Sequence, residues 1–432
     1  MERKIYQDLL KWKSSSGRKP LILQGPRQVG KTYITNLFGS REYANVVYCN
    51  FEQDEFLNEF FTVLEPERII KMIEAHKRKQ ILKEKTLIIF DEIQYCPRAL
   101  TSLKYFNEEA NEYHIIATGS LLGVSLNRGN NSFPVGKVNF LNMGPMDFEE
   151  FLLAQEEKNS FLIDEIKKCY KEDSPLAKPF HNTAMELYKN YLFVGGMPEV
   201  VEEFVKTNNF ELVRIKQYNI LQSYFNDMSK YNKATEIPKV KLVYKNITTQ
   251  LAKENKKFKY SLIKSGGRAR EFEDAIEWLC LAGVAKQLHR IEQIKLPLDA
   301  FISLDDFKFY MNDVGLCCAN QNVHFDDIIL NNDSFEFRGG LTENYVFNQL
   351  TTNNLPSFYW TNKNSAEIDF ITRIGEDIIP IEVKSGENTR AKSLSIYIQQ
   401  FKPKYAIKIS AKNFGFEENI KSVPLYAAFC IK

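Results

Sequence analysis

The stretch Gly25-Pro26-Arg27-Gln28-Val29-Gly30-Lys31-Thr32 fits GxxxxGK[ST] at every position. Glycines let a loop bend so that consecutive N–H groups point inward around a phosphate, and a following helix N-terminus adds its positive end. Lys31 is placed to reach the β- and γ-phosphates, and the Thr32 hydroxyl to ligate Mg²⁺. The run Leu87–Phe90 then ends in Asp91-Glu92. Four apolar residues closing on an acid form the Walker B pattern of a buried strand. Asp91 would hold Mg²⁺ through water, and Glu92 would polarise an attacking water. In His114–Ser120, Thr118 and Ser120 end a further apolar run and are expected to sense the γ-phosphate or position water. ATP and Mg²⁺ are the cofactors these residue types imply.

Towards the other end lie more carboxylates. Asp369 closes EID, and twelve residues later comes IEVK with Glu382 and Lys384. A strand's period of two puts Glu382 and Lys384 on one face. Glu343, on a preceding helical stretch, could add a third acid. Two acids and a lysine here resemble the PD-(D/E)XK nuclease pattern. That resemblance implies Mg²⁺ on Asp369 and Glu382, with Lys384 orienting water or stabilising developing charge. A structural ion pair, or a nuclease fold without activity, accounts for the same residues. A basic segment, residues 253–270, carries seven Lys/Arg against one acid. It reads either as phosphate-backbone contact with DNA or as solvated surface.

The elements that must position these groups follow from periodicity. Leu21–Gln24, Val46–Asn50, Leu87–Phe90 and the HIIAT run read as strands. Helical patterns separate them at Lys31–Phe38, Pro66–Lys79 and Arg98–Glu109. Alternation of this kind predicts a parallel sheet covered by helices. Residues 148–235 read as helical, interrupted at GGMPEV. Helix, turn, helix and the strand-like VAKQLHRI suggest a winged helix. From Arg338 onward helix and strand alternate again. The expected fold is therefore α/β: a P-loop NTPase domain (1–150), a helical lid (151–235), a winged-helix-like domain (236–330) and a C-terminal α/β nuclease-like domain (331–432).

Composition bounds the function. Of 432 residues, 57 are Lys or Arg and 55 Asp or Glu, a net charge of +2, which excludes a histone-like binder. Seven scattered cysteines without CxxC argue for reduced thiols and against structural zinc. The charged start MERKIYQDLLKWK and the absence of long apolar runs predict a cytoplasmic protein with no membrane partner.

Taken together, GPRQVGKT, LIIFDEIQ, ATGSLLG, PVGKVNFLNMGPMDFEEFL and GGMPEV resemble a prokaryotic branch of the AAA-type P-loop ATPases with a C-terminal domain of unknown function. The resemblance implies Mg-dependent ATP hydrolysis coupled to the C-terminal domain, with DNA as the expected partner. It leaves open an ATP-driven switch that binds DNA or protein without cleavage. AAA-type relatives often form rings, so a homo-oligomer stays among the expectations. Arg27, Arg98 and Arg128 are the candidates for a charge-stabilising arginine.

Overall fold

A computed structural model describes the chain except for residues 120–133, 156–158, 231–233, 254, 330–336, 363–365 and 387–391. Ser120 and Arg128 fall outside the described residues. The chain divides into two compact units, residues 2–144 with 281–283, and residues 145–280 with 284–432 and Met1.

The first unit is built on five parallel strands: β1 (Leu21–Gln24), β2 (Asn45–Asn50), β3 (Thr86–Asp91), β4 (His114–Gly119) and β5 (Asn139–Asn142). Their order is β2-β3-β4-β1-β5. Every residue of β3 is buried, which is why it reads as an uninterrupted apolar run closing on an acid. The helix Pro66–Lys77 starts with proline at its first turn and buries Ile69, Ile70 and Ile73 at helical spacing. These side chains join Leu103 and Phe106, from the helix Pro97–Glu109, in a core that includes Ile88 and Phe90. The sheet order puts the strand ahead of the phosphate loop beside β4, one strand from β3.

The second unit starts with helices between Phe148 and Leu281 and ends in an eight-stranded sheet. GGMPEV breaks the helical run for a steric reason. Gly195 has φ +77°, and a Cβ on Gly196 would lie 1.9 Å from the Met146 carbonyl oxygen. Asp313 fixes this turn: its carboxylate accepts from Gly196 N at 2.6 Å and from Leu316 N at 2.8 Å, capping the helix Val314–Asn320. Burial pushes the Asp313 carboxyl up to about 6, against the pull of those backbone donors.

The hairpin β6 (Ala285–Ile291) and β7 (Ile302–Met311) follows the helix Ala269–Leu281. Next come the helix Arg338–Thr352 and strands β8 (Ser357–Asn362), β9 (Ala366–Ile374), β10 (Asp377–Val383), β11 (Ala406–Ser410), β12 (Gly415–Glu417) and β13 (Ile420–Pro424). β8, β9 and β10 run antiparallel, and β10 pairs with β11 in parallel. The β11 ladder begins at Ile381, one residue past Pro380, so the proline sits where β10 has a ladder neighbour on one side only. The hairpin meets this sheet through a single register pair, Arg290 with Tyr359.

Among the described residues no disulfide joins the seven cysteines, and no helix is long and apolar enough to cross a membrane. Asp313→Ala strands two buried N–H donors and is expected to lower the unfolding free energy of the second unit by roughly 2–4 kcal/mol, read from urea midpoints.

Candidate functional site

The phosphate loop joins β1 to the helix Lys31–Glu42. Its backbone takes positive φ at Gly25 (+153°), Gln28 (+64°) and Gly30 (+92°). Gly25 is required twice over, since a Cβ there would lie 2.0 Å from the Met143 carbonyl oxygen. Inside the loop, Lys31 donates to the carbonyls of Gly25 at 2.9 Å and Pro26 at 2.7 Å. Burial pushes its ammonium down to about 8, while Glu92 and Asp91 draw it back up. Val29 is buried and its carbonyl accepts from the Arg3 guanidinium at 2.9 Å. Arg3 also donates to Gly144 at 2.7 Å, tying the chain's start to the loop.

Asp91 is the convergence point. At 4% exposure it ends β3 and accepts four donors. Thr32 Oγ1 lies 3.0 Å from Oδ2, which also takes the Tyr48 hydroxyl. Oδ1 takes the Glu92 N–H at 3.1 Å and the Thr118 hydroxyl. Thr118, expected to sense the γ-phosphate or position water, donates its hydroxyl to Asp91. Tyr48 was missed, because a tyrosine midway along VVYCN looks like any half-buried strand residue. It comes from β2, which pairs with β3 up to Asn50 opposite Asp91.

Glu92 itself sits at φ +52° and accepts from Gln94 Nε2. Arg98 donates to the carbonyls of Phe61 at 2.6 Å and Thr62 at 2.7 Å, which fits a loop tie. The Thr32 hydroxyl and Asp91 carboxylate, converging beside the loop, are the oxygen donors a Mg²⁺-nucleotide needs, so the residues present fit that ion.

The C-terminal carboxylates also come together, but around lysines. Lys384 Nζ lies 2.6 Å from Glu382 Oε1, as their shared strand face predicted. Asp369 Oδ2 accepts from Val383 N at 2.8 Å. Glu343, 4% exposed, pairs with Lys256 and with Lys308 at 3.3 Å, and accepts from the Tyr310 hydroxyl at 3.1 Å. Lys308, 1% exposed, lies 2.5 Å from Glu367 and 4.0 Å from Asp369.

Burial opposes ionisation of Glu343, but Lys256 and Lys308 outweigh it and hold the carboxyl below its usual range. Asp369 goes the other way: burial, with Glu343 and Glu382 nearby, pushes it well up. Among the described residues no three His, Cys, Asp or Glu side chains gather as a metal cage. Of the acids expected to share Mg²⁺, Glu343 and Asp369 lie beside the Lys308 ammonium and Glu382 beside Lys384, and this arrangement does not fit the ion.

In the basic segment, Lys256 pairs with Glu343 and Lys257 with Asp306. Lys253, Lys259, Lys264, Arg268 and Arg270 are exposed. Charge counting along the sequence could not separate these two sets.

The sheet order and the loop define a P-loop NTPase. Residues 17–152 match the family described as an AAA domain. Residues 185–327 match one domain of unknown function (DUF8612) and residues 338–428 another (DUF4143). No curated protein matches the chain. Among solved structures, the Walker-type ATPase PABY2304 of Pyrococcus abyssi is similar over 74% of this chain and 95% of that one, at 14% identity and a TM-score of 0.46. The Aeropyrum pernix ORC1 protein in complex with DNA is similar over 77% and 91%, at 13% identity and a TM-score of 0.29. The replication initiator DnaA bound to AMPPCP and single-stranded DNA is similar over 65% and 86%, at 14% identity and a TM-score of 0.29.

Glu343 and Asp369 should respond oppositely to neutral substitution. Glu343→Gln leaves Lys308 and Lys256 short of a counter-charge and is expected to cost about 3–5 kcal/mol of stability. Asp369→Asn keeps an acceptor for Val383 N and is expected to cost less than about 1 kcal/mol. Chemical unfolding of the two variants at neutral pH measures both.

Proposed function

We propose that this protein binds and hydrolyses ATP with Mg²⁺ in its N-terminal domain, and that the nucleotide cycle governs how the rest of the chain engages DNA. The observation that carries the first part is the convergence of Thr32 and Asp91 beside a complete phosphate loop. In this reading Gly25, Pro26, Arg27, Gln28, Val29 and Gly30 offer backbone N–H groups, apart from the proline, to the phosphates. Lys31 exchanges its carbonyl partners for phosphate oxygens. Bound Mg²⁺ supplies charge neutralisation on the phosphates, with Thr32 and Asp91 as the residues to hold it. Glu92, steadied by Gln94, accepts the proton of the attacking water.

The exposed cations Lys253, Lys259, Lys264, Arg268 and Arg270 support DNA as the partner. For the C-terminal domain two readings compete. Glu382, Lys384 and Asp369 support a nuclease-like site. The Lys308 ammonium among the same acids favours a domain that takes part in binding without cutting, and we adopt that reading.

Lys31→Ala is expected to abolish ATP binding, and Glu92→Gln to keep binding while turnover falls by roughly 10²–10⁴-fold. Equal turnover in wild type and Glu92→Gln would remove Glu92 from its role. For DNA, the triple change Lys253→Glu, Lys259→Glu and Arg268→Glu should weaken binding on every sequence. It should also reduce the slope of log affinity against log salt by about 2–3, at roughly 0.9 for each phosphate no longer neutralised. Unchanged affinity and slope in a fluorescence anisotropy titration would make the segment plain solvated surface.

A further inference from the structure

Strands β6 and β8 are joined by one register pair, Arg290 with Tyr359, and ahead of that pair they diverge. Along Lys286–His289 the β6 edge away from β7 has no strand partner among the described residues. The same holds for Ser357 and Phe358 of β8 on the side away from β9. The gap is a cleft of about 500 Å³. Phe347 and Thr351, from the helix Arg338–Thr352, line it with Ser357 and Phe358, and the exposed Asp299 stands at its rim. Lys286 is its one lysine or arginine among the described residues.

The direction of Lys286 follows from register. It lies opposite Tyr310 on β7, and opposed residues of an antiparallel pair project to one side. On that side Tyr310 meets the helix: its hydroxyl donates to Glu343 at 3.1 Å, and its ring centroid lies 5.1 Å from that of Phe347. Glu343, Phe347 and Thr351 recur at four-residue spacing on one helix face, and Phe347 and Thr351 carry that face into the cleft.

At this end of the helix the ammonium meets no acid. Lys286 is half-buried, and among the described residues it makes no hydrogen bond or ion pair. Burial alone pushes it down to about 8. The helix end does not call on it either, because Asn353 N, Asn354 N and Leu355 N already donate to the carbonyls of Gln349, Thr351 and Leu350 at 3.0 Å. An ammonium drawn out of water without a counter-charge is costly, and an anion entering the cleft offsets that cost.

We propose that this cleft is a binding site for a small organic carboxylate, with Lys286 on the carboxylate and Phe347 and Phe358 against an apolar body. A cleft of this size suits a small molecule. One ammonium matches one negative charge, and Asp299 at the rim repels a second, which favours a carboxylate over a phosphate dianion. None of the exposed cations assigned to DNA lines the cleft, so the two readings stand or fall separately.

The test uses the full chain with Lys31→Ala, so that the phosphate loop contributes no anion binding. Calorimetric titration with benzoate should saturate at one site. Benzamide keeps the ring without the charge and should bind roughly tenfold more weakly, and phenyl phosphate should also bind more weakly than benzoate. Lys286→Met should weaken benzoate by roughly 10–100-fold and leave benzamide unchanged. Absence of saturable benzoate binding overturns the proposal, as does equal benzoate affinity in Lys286→Met. Phenyl phosphate binding tighter than benzoate overturns the carboxylate assignment.

Should Lys286→Met fail to fold, amine labelling of the Lys31→Ala protein decides the matter. Millimolar benzoate should slow acetylation of Lys286 by acetic anhydride, read by peptide mass spectrometry, and leave the exposed Lys253 and Lys259 unaffected. An unchanged rate at Lys286 overturns the proposal.

Discussion

A carboxylate buried at the end of a central strand has to be met by donors, and Asp91 sets that requirement for the N-terminal unit. Transferring a carboxylate out of water is costly unless hydrogen bonds replace the lost hydration. Here the replacements come from the start of the loop helix (Thr32), from β2 (Tyr48), from β4 (Thr118) and from the backbone of Glu92. No local stretch of sequence can supply that set. Only a sheet in which β3 lies between β2 and β4 brings these donors to one point. The strand order and the nucleotide chemistry are thus two aspects of one constraint.

The same rule, met by other means, shapes the C-terminal part. Its buried acids have few hydroxyl or N–H donors, so lysines meet them. An ammonium satisfies a carboxylate at lower charge than a metal ion does, and it is covalently attached, so it needs no supply. The consequence is chemical. A lysine cannot polarise a phosphodiester as a bound divalent ion does, and it leaves no open coordination position for water. On the reading proposed here, residues arranged in sequence like a nuclease site sit in a domain that binds without cutting.

The sequence made the N-terminal unit legible because its signals are local. GPRQVGKT and LIIFDE carry their chemistry within eight residues, and their flanking strands are short apolar runs. The pairing of Glu382 with Lys384 was legible for the same reason, since a strand's alternation alone puts them together. Lys308 was not. It lies in LDDFKFYM, among alternating polar and apolar residues, and its partner Glu343 is 35 positions away. Its sequence neighbourhood says nothing of burial among acids. Arg3 and Tyr48 were hidden in the same manner, each acting on a group that only folding brings near. For Thr118 the strand and the hydroxyl were both legible, but the direction of its hydrogen bond depends on Asp91 standing on the adjacent strand.

Mg²⁺-dependence of nucleotide binding tests the central claim most directly. Calorimetric titration with a non-hydrolysable ATP analogue, with Mg²⁺ and with EDTA, isolates the contribution of the Thr32–Asp91 pair from that of the loop. The account predicts tighter binding with Mg²⁺ in the wild type. It also predicts that Asp91→Asn loses this increment while keeping the weaker binding seen in EDTA. An increment of the same size in Asp91→Asn would contradict the account.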